Sequence, residues 1–303
     1  MTMELRQIEY FVSVAETGGF GKAAKKCHVA QPSLSQQISK LEREFGQRLF
    51  DRMGRTIALT EAGENFLPRA RSILAEVQQA KQTLTNNVEA GHGKLSIGII
   101  PTLTPFILNG TVKRFKACYP DAELIVSEDV TETLQERLMN AEVEVCYMST
   151  PLTGRQIVTE DIFTEKLFLA VSATHPYAAL SPLTSEALSK TPFVTLHDRH
   201  CLSQQISSFC YVHHINPPII YQTYQLATVL DFVRAGLGIA FVPEIATLTL
   251  KHDDVVFRSV EDISPERTIV AARCDGRTIS QLAACFTDCI KQEWSALTQT
   301  DNP

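Results

Sequence analysis

The stretch LHDRHCLSQQISSFCYVHH, running from Leu196 to His214, sets two cysteines and four histidines within nineteen residues. Three chemistries suit such a set: zinc ligation, a thiol switch, or the inert packing of polarizable side chains on a helix. Structural zinc favours two cysteines separated by two to four residues, whereas Cys201 and Cys210 are nine apart. No metal or other cofactor is therefore assigned. Leu202, Ile206 and Phe209 step by 4 and 3, the spacing of one helical face, and Cys210 continues its apolar side. Nine residues of helix span about 13 Å along the axis, while a disulfide needs Cα atoms within about 7 Å. The two thiols could join only if the segment unwound, and a segment that must unwind to oxidise is a switch. Packing helix and switch both stay open on these residues alone.

The rest of the chain limits the choice. Its 303 residues suit two or three domains, and 44% hydrophobic with 20% charged residues is a globular composition. The first residues, MTMELRQIEYFVSVAE, form an amphipathic pattern carrying acids, unlike a secretory leader. No run approaches the ~18 apolar residues of a membrane span. A cytoplasmic protein without membrane contact is expected, its eight cysteines reduced and any disulfide transient. No phosphate-cradling loop, serine elbow or metalloprotease motif occurs, and the glycines of AGLGIA precede a strand rather than open a helix. The expectation is a protein that is not an enzyme.

The net charge of −6 hides an asymmetry. From Phe20 to Arg55 eight Lys/Arg face three acids, a net +5 that leaves −11 on all other residues. A compact basic head on an acidic protein could sit on a polyanion such as double-stranded DNA, although a charge cluster taken alone is more often a solvated face. Leu5, Ile8, Phe11, Val12 and Ala15 predict a first helix and Gly21–Cys27 a second, with Cys27 read as a small buried hydrophobe. In a third, Leu34, Ile38, Leu41 and Phe45 share the buried face, while Ser33, Gln36, Gln37 and Lys40 share the outer one. Glutamine can pair with adenine edges and lysine with phosphate or guanine, so this face suits a recognition helix. RLFDRMGRTIALT then alternates as a two-stranded wing turning at Met53–Gly54, where Arg52 and Arg55 could reach phosphates or the minor groove. Residues 1–60 thus read as a winged helix-turn-helix.

Residues 61–90 read as a linker helix opened by Thr60 as N-cap. Phe66, Ala70, Ile73, Val77, Ala80 and Leu84 keep heptad spacing, which suits a homodimer seam, although a helix packed on its own domain would show the same stripe. EAGHGK closes it. From 91 to 303 strands and helices alternate, predicting an α/β effector domain with a mostly parallel sheet. Subdomain I takes about 91–164 and 269–303, and subdomain II about 165–268. A cleft between two lobes is a preferred small-molecule site, and the loop Pro101–Thr104 would face it.

The head residues KCHVAQPSLSQQISKLEREFGQRLFDR, followed by LTEAG, resemble the N-terminal signature of LysR-type transcriptional regulators. That resemblance implies a periplasmic-binding-protein-like effector domain and puts Gln31, Pro32, Ser33, Ser35, Gln36 and Lys40 at or near DNA, supported by Arg52 and Arg55. RHCLSQQISSFC, with IGIIPTLTPFIL, SEDVTETL, VEVCYM and ERTIVAAR, resembles the peroxide-sensing OxyR branch of the family. What this implies is hydrogen peroxide as effector, Cys201 as peroxidatic thiol and Cys210 as resolving thiol. Thr102, Thr131, His200 and Arg267 would line the peroxide pocket. A homotetramer and contact with RNA polymerase are implied as well. In that reading Arg267 or His200 favours the thiolate, peroxide converts Cys201 to a sulfenic acid, and Cys210 captures it reversibly as a disulfide. The alternative is a LysR-type regulator answering to a metabolite in the cleft, without thiol chemistry. One departure stands out: Arg199 occupies a position where relatives carry a small residue. Cys118, Cys146, Cys274, Cys285 and Cys289 read as structural.

Overall fold

The computed structural model describes residues 3–53, 56–85, 93–152, 154, 156–250 and 253–300. The chain forms two compact units. In the first, α1 (Leu5–Thr17), α2 (Phe20–Lys26) and α3 (Gln31–Phe45) precede a hairpin of β1 (Phe50–Met53) and β2 (Thr56–Leu59), then the long α4 (Glu61–Thr85). The apolar stripes meet as their spacing requires: Ile8, Phe11, Leu34, Ile38 and Leu41 are at most 1% exposed. Burying each such side chain stabilises by about 1.5–3 kcal/mol. Glu42 accepts hydrogen bonds from the backbone N–H groups of Leu49 (2.9 Å) and Phe50 (3.3 Å), and so fixes where the hairpin starts. Thr60 caps α4, accepting from the Gly63 N–H at 3.1 Å while donating to the Arg48 carbonyl at 2.6 Å. A Cβ at position 63 would strike the Leu49 carbonyl, so only glycine lets α4 pass the hairpin this closely.

Two sequence expectations change here. Phe45, expected in the buried face of α3, is 38% exposed and meets only the edge of the core, against Phe66 with ring centroids 5.0 Å apart. The linker stripe is partly consumed within the head: Phe66 also packs on Phe11 (5.1 Å), Ala70 is fully buried, and Ile73 touches the same core. Val77 is half-buried, Ala80 is exposed, and Leu84 lies in α4. Arg55 and most of EAGHGK lie outside the described residues.

The second unit runs β3 (Lys94–Ile99), α5 (Thr104–Cys118), β4 (Glu123–Glu128), α6 (Thr131–Met139), β5 (Val145–Ser149), β6 (Ile157–Ser172), α7 (Ser185–Leu188), β7 (Phe193–Leu196), α8 (Cys201–Val212), β8 (Ile219–Thr223), α9 (Leu226–Arg234), β9 (Ala240–Pro243), α10 (Glu244–Thr249), β10 (Val255–Arg258), β11 (Glu266–Cys274) and α11 (Gln281–Thr300). Its main sheet is ordered β10-β6-β11-β5-β3-β4, with β9 also on β6; β7 and β8 form a separate pair. The mostly parallel sheet expected from the alternation is instead mixed. β3 runs parallel to β4 and β5, but β11, β6, β9 and β10 pair antiparallel. The cause is β6, a single 16-residue strand that pairs with β11 through its first part and with β9 and β10 through its last. A core of Leu169, Val171, Val194, Leu196, Leu202, Val229 and Val242 lies around that last part. Among the described residues no helix is long and apolar enough to cross a membrane.

Candidate effector site and nucleic-acid interface

Arg267 is anchored in β11 with its side chain fully buried, and its charge is met inside the protein. Its Nε donates to Glu165 Oε1 at 2.8 Å, and its Nη1 donates to Thr102 Oγ1 at 2.8 Å. Glu165, equally buried, also accepts from the Ile245 N–H at 2.8 Å. Because Thr102 Oγ1 accepts from arginine, its own hydroxyl proton is free to point elsewhere. Arg267 therefore holds Thr102 from behind, and its charge is spent on Glu165.

Thr102 and His200 line one cavity of about 540 Å³, together with Phe106, Asp129, Val130 and Tyr224. Thr131 opens α6 directly after Asp129 and Val130. Glu132, the next residue, is close enough to act on the charge of His200. Four buried side-chain polar atoms find no hydrogen-bond partner among the described residues, Ser13 Oγ, Thr131 Oγ1, His200 Nε2 and Gln205 Oε1, and of these His200 lines this cavity while Thr131 directly follows its Val130. A buried polar group left without a partner costs about 1–3 kcal/mol, and the two at this cavity are open to a small polar guest. Burial, then His197 and Arg199, hold the His200 imidazole below its ordinary value, against the opposing effect of Glu132. His200 is thus neutral near pH 7, a hydrogen-bonding group rather than a cation. Tyr224 stacks on His197 with centroids 4.7 Å apart and reaches toward His200 at 6.1 Å.

Cys201 follows His200 as the first residue of α8 and is 9% exposed. Cys210 sits on the same helix nine residues on, hence about two and a half turns away and on the opposite face. It belongs to the lobe core and lines a different cavity, of about 750 Å³, with Ile206, Tyr211, Ile215 and Ile219. Burial pushes its thiol up to about 11. Of the four residues expected to line the pocket, Thr102 and His200 do so, whereas Arg267 stands behind Thr102, and Thr131 follows Val130 of the wall; Cys201 follows His200, and Cys210 lines a different cavity. All eight cysteines are free thiols. Among the described residues no cluster of three or more His, Cys, Asp or Glu suits a metal ion.

Two positioning residues escaped the sequence reading. Glu165 stands one residue before the strand predicted at KLFLAVS, where an acid reads as a solvated end. Gln205, on α8, donates from Nε2 to Ser149 Oγ (2.8 Å) and to the Thr150 carbonyl, tying the cysteine helix to the end of β5. Its partners lie more than fifty residues away, so no local pattern announces them.

In the first unit, α3 presents Gln31, Pro32, Ser33 and Gln36 to solvent, with Ser35, Gln37 and Lys40 half-buried. Gln7, 4% exposed, donates from Nε2 to Gln37 Oε1 at 3.1 Å, while its own Oε1 accepts from the Glu4 N–H at 3.0 Å. Gln37 is thereby held to α1 and Gln36 is the freer amide. Arg52 lies in β1 opposite Ile57.

Comparison with known proteins agrees with this architecture. Residues 5–64 match the model for bacterial regulatory helix-turn-helix proteins of the lysR family, and residues 89–295 match the LysR substrate binding domain. A hydrogen peroxide-inducible genes activator of Haemophilus influenzae is 36% identical over 246 residues, covering 81% of this chain and 82% of that protein. A full-length OxyR variant from Pseudomonas aeruginosa superposes with a TM-score of 0.79 at 25% identity, covering 96% of this chain and 95% of the other. A Corynebacterium glutamicum OxyR variant with hydrogen peroxide bound gives 0.65 at 27% identity, covering 99% and 97%. With both family models matched in order and a relative this similar over four-fifths of its length, the chain belongs to the LysR family of bacterial transcriptional regulators, and its relatives include OxyR.

Proposed function

We propose that this DNA-binding regulator senses hydrogen peroxide through a reversible disulfide between Cys201 and Cys210. The observation that carries the reading is the pair of unpartnered buried atoms, Thr131 Oγ1 and His200 Nε2, beside a cysteine at a helix N-terminus. The names of the relatives support the effector. Peroxide enters the cavity, where the Thr102 hydroxyl, freed by Arg267 to donate, and Thr131 hydrogen-bond its oxygens. The Cys201 thiolate attacks one oxygen, the O–O bond breaks, and the departing oxygen leaves as water after taking up a proton. Cys201 becomes a sulfenic acid. The Cys210 sulfur then attacks the Cys201 sulfur, the second oxygen leaves as water, and the disulfide forms. Since the two thiols start on opposite faces of α8, the helix unwinds and the Gln205 tie to β5 is lost with it. The oxidation is stoichiometric, not catalytic.

In this reading residues 1–60 are the DNA-binding head and 61–90 the dimerising linker. Residues 91–303 form the effector domain, with subdomain II at about 165–268. The dimer, its pairing into a tetramer, contact with RNA polymerase and a cytoplasmic location follow from the same reading. Mass mapping of thiols after brief exposure to low-micromolar peroxide tests it. A Cys201–Cys210 disulfide is expected, absent in Cys201→Ser, with a sulfenate trapped at Cys201 in Cys210→Ser. Unreacted Cys201 would turn the reading to a metabolite regulator. The cavity gives that second reading its one support, since about 540 Å³ walled by Phe106, Leu226 and Leu250 far exceeds the size of peroxide.

A further inference from the structure

Three of the eight cysteines lie outside the peroxide chemistry yet close to one another. α5 and α11 pack antiparallel, and each carries a stripe at four-residue spacing: Gly110, Arg114, Cys118 on one, Glu293, Cys289, Cys285 on the other. The register is fixed by contacts. At Gly110 an added methyl would collide with the Glu293 carboxylate, and Arg114 Nε donates to Glu293 Oε2 at 2.8 Å. One turn further along, Phe115 packs edge-on against Phe286 with centroids 5.3 Å apart. The same register carries Cys118, the last residue of α5, to the level of Cys285 and Cys289 on α11, and the Cys285 thiol is close enough to both for them to act on its charge. Access is graded across the three. Cys118 is exposed, Cys285 partly so, and Cys289 buried.

We propose that Cys118, Cys285 and Cys289 form a second thiol site, which takes small-molecule disulfides and closes as a Cys118–Cys285 bond between α5 and α11. The exposed Cys118 attacks first, as its thiolate: its sulfur bonds to one sulfur of the incoming disulfide, whose S–S bond breaks and releases one thiolate. Cys285 then attacks the Cys118 sulfur of the mixed disulfide. The second small thiol leaves carrying the proton from Cys285. Two protein thiols are oxidised, one small disulfide is reduced to two thiols, and no other reactant is needed. Burial and the neighbouring thiols push Cys285 up to about 12, so it rests protonated and serves as the second, slower partner. Cys289 is the buried member of the three.

Incubating the full-length protein with glutathione disulfide, followed by peptide mass mapping, tests this site separately from the peroxide response, because the cysteines map to different peptides. The expected product is a Cys118–Cys285 disulfide, unaffected by Cys201→Ser. In Cys285→Ala, glutathione should stay on Cys118 and accumulate severalfold over the unsubstituted protein. In Cys118→Ala, Cys285 should stay unmodified. Glutathione persisting on Cys118 of the unsubstituted protein without the cross-link overturns the proposal. So does a Cys285–Cys289 bond in place of it, or an unmodified Cys118. Should Cys285→Ala fail to fold, the product of the unsubstituted protein alone decides.

Discussion

Glu165 and Arg267 form an ion pair at 2.8 Å with both side chains fully buried, 102 residues apart in sequence. Removing one partner of such a pair leaves an uncompensated charge in the interior and costs about 3–5 kcal/mol, whereas replacing both with apolar groups is often close to neutral. Glu165→Ala should therefore destabilise the protein by about that amount in urea unfolding. The joint replacement Glu165→Met with Arg267→Met should recover most of the loss. A Glu165→Ala protein as stable as its parent would show that the pair is solvated and that Thr102 is not held by it.

His200 gives a pH dependence of known sign. Its folded-state value is held below the ordinary 6.5, chiefly by burial. A base whose folded value is depressed contributes stability that is complete above the unfolded value and is lost as pH falls below it. Melting temperature followed from pH 7.5 to 4.5 should fall more steeply for the parent than for His200→Gln, which has no proton to gain. Parallel curves would mean that the imidazole takes up its proton equally readily in the folded and unfolded chain, so that burial does not depress it.

The legible and illegible parts of the sequence differ in the range of the physics involved. Leu34, Ile38 and Leu41 against Ser33, Gln36 and Lys40 could be sorted in advance, because one helix separates its faces by local spacing alone. Phe45 obeyed the same spacing yet lies at the helix end, where the core has already run out. The linker stripe kept its heptad period, but Phe66 and Ala70 spend it on their own head, a choice that spacing cannot reveal. The first half of β6 escaped notice because solvent covers much of it, so its side chains do not alternate as a buried strand's do. Glu165 and Gln205 act on partners far along the chain, which only the fold brings near.

The freedom of Gln36 against the tethering of Gln37 predicts unequal roles on DNA. With an operator fragment selected by the protein from random-sequence DNA, Gln36→Ala should cost about 1–3 kcal/mol of discrimination at one base step. Gln37→Ala should cost less, and Gln7→Ala should loosen Gln37 without touching DNA itself. Lys40→Ala should weaken binding across all sequences and lower the salt slope by about 1. Equal losses at Gln36 and Gln37, measured by fluorescence anisotropy, would mean that the Gln7 bond opens on the duplex.

The placement of Cys210 links thiol chemistry to the unwinding of α8. Its thiol is raised from 9.0 to about 11 by burial in the lobe core. A raised folded value means that the packed thiol stabilises fully below pH 9, and that this contribution is lost as pH climbs from 9 to 11. Both effects of alkali then act together: more Cys210 becomes thiolate, and the helix that holds it away from Cys201 loosens. Once Cys201 has been oxidised to its sulfenic acid, disulfide closure should accelerate through that window. Amide hydrogen exchange across Cys201–Val212 should rise with it. In oxidised Cys210→Ser, where nothing draws the helix apart, protection should remain as in the reduced protein. Equal protection in the reduced and the disulfide-bonded protein would be incompatible with two sulfurs that begin on opposite faces of one helix, and the switch would have to lie elsewhere.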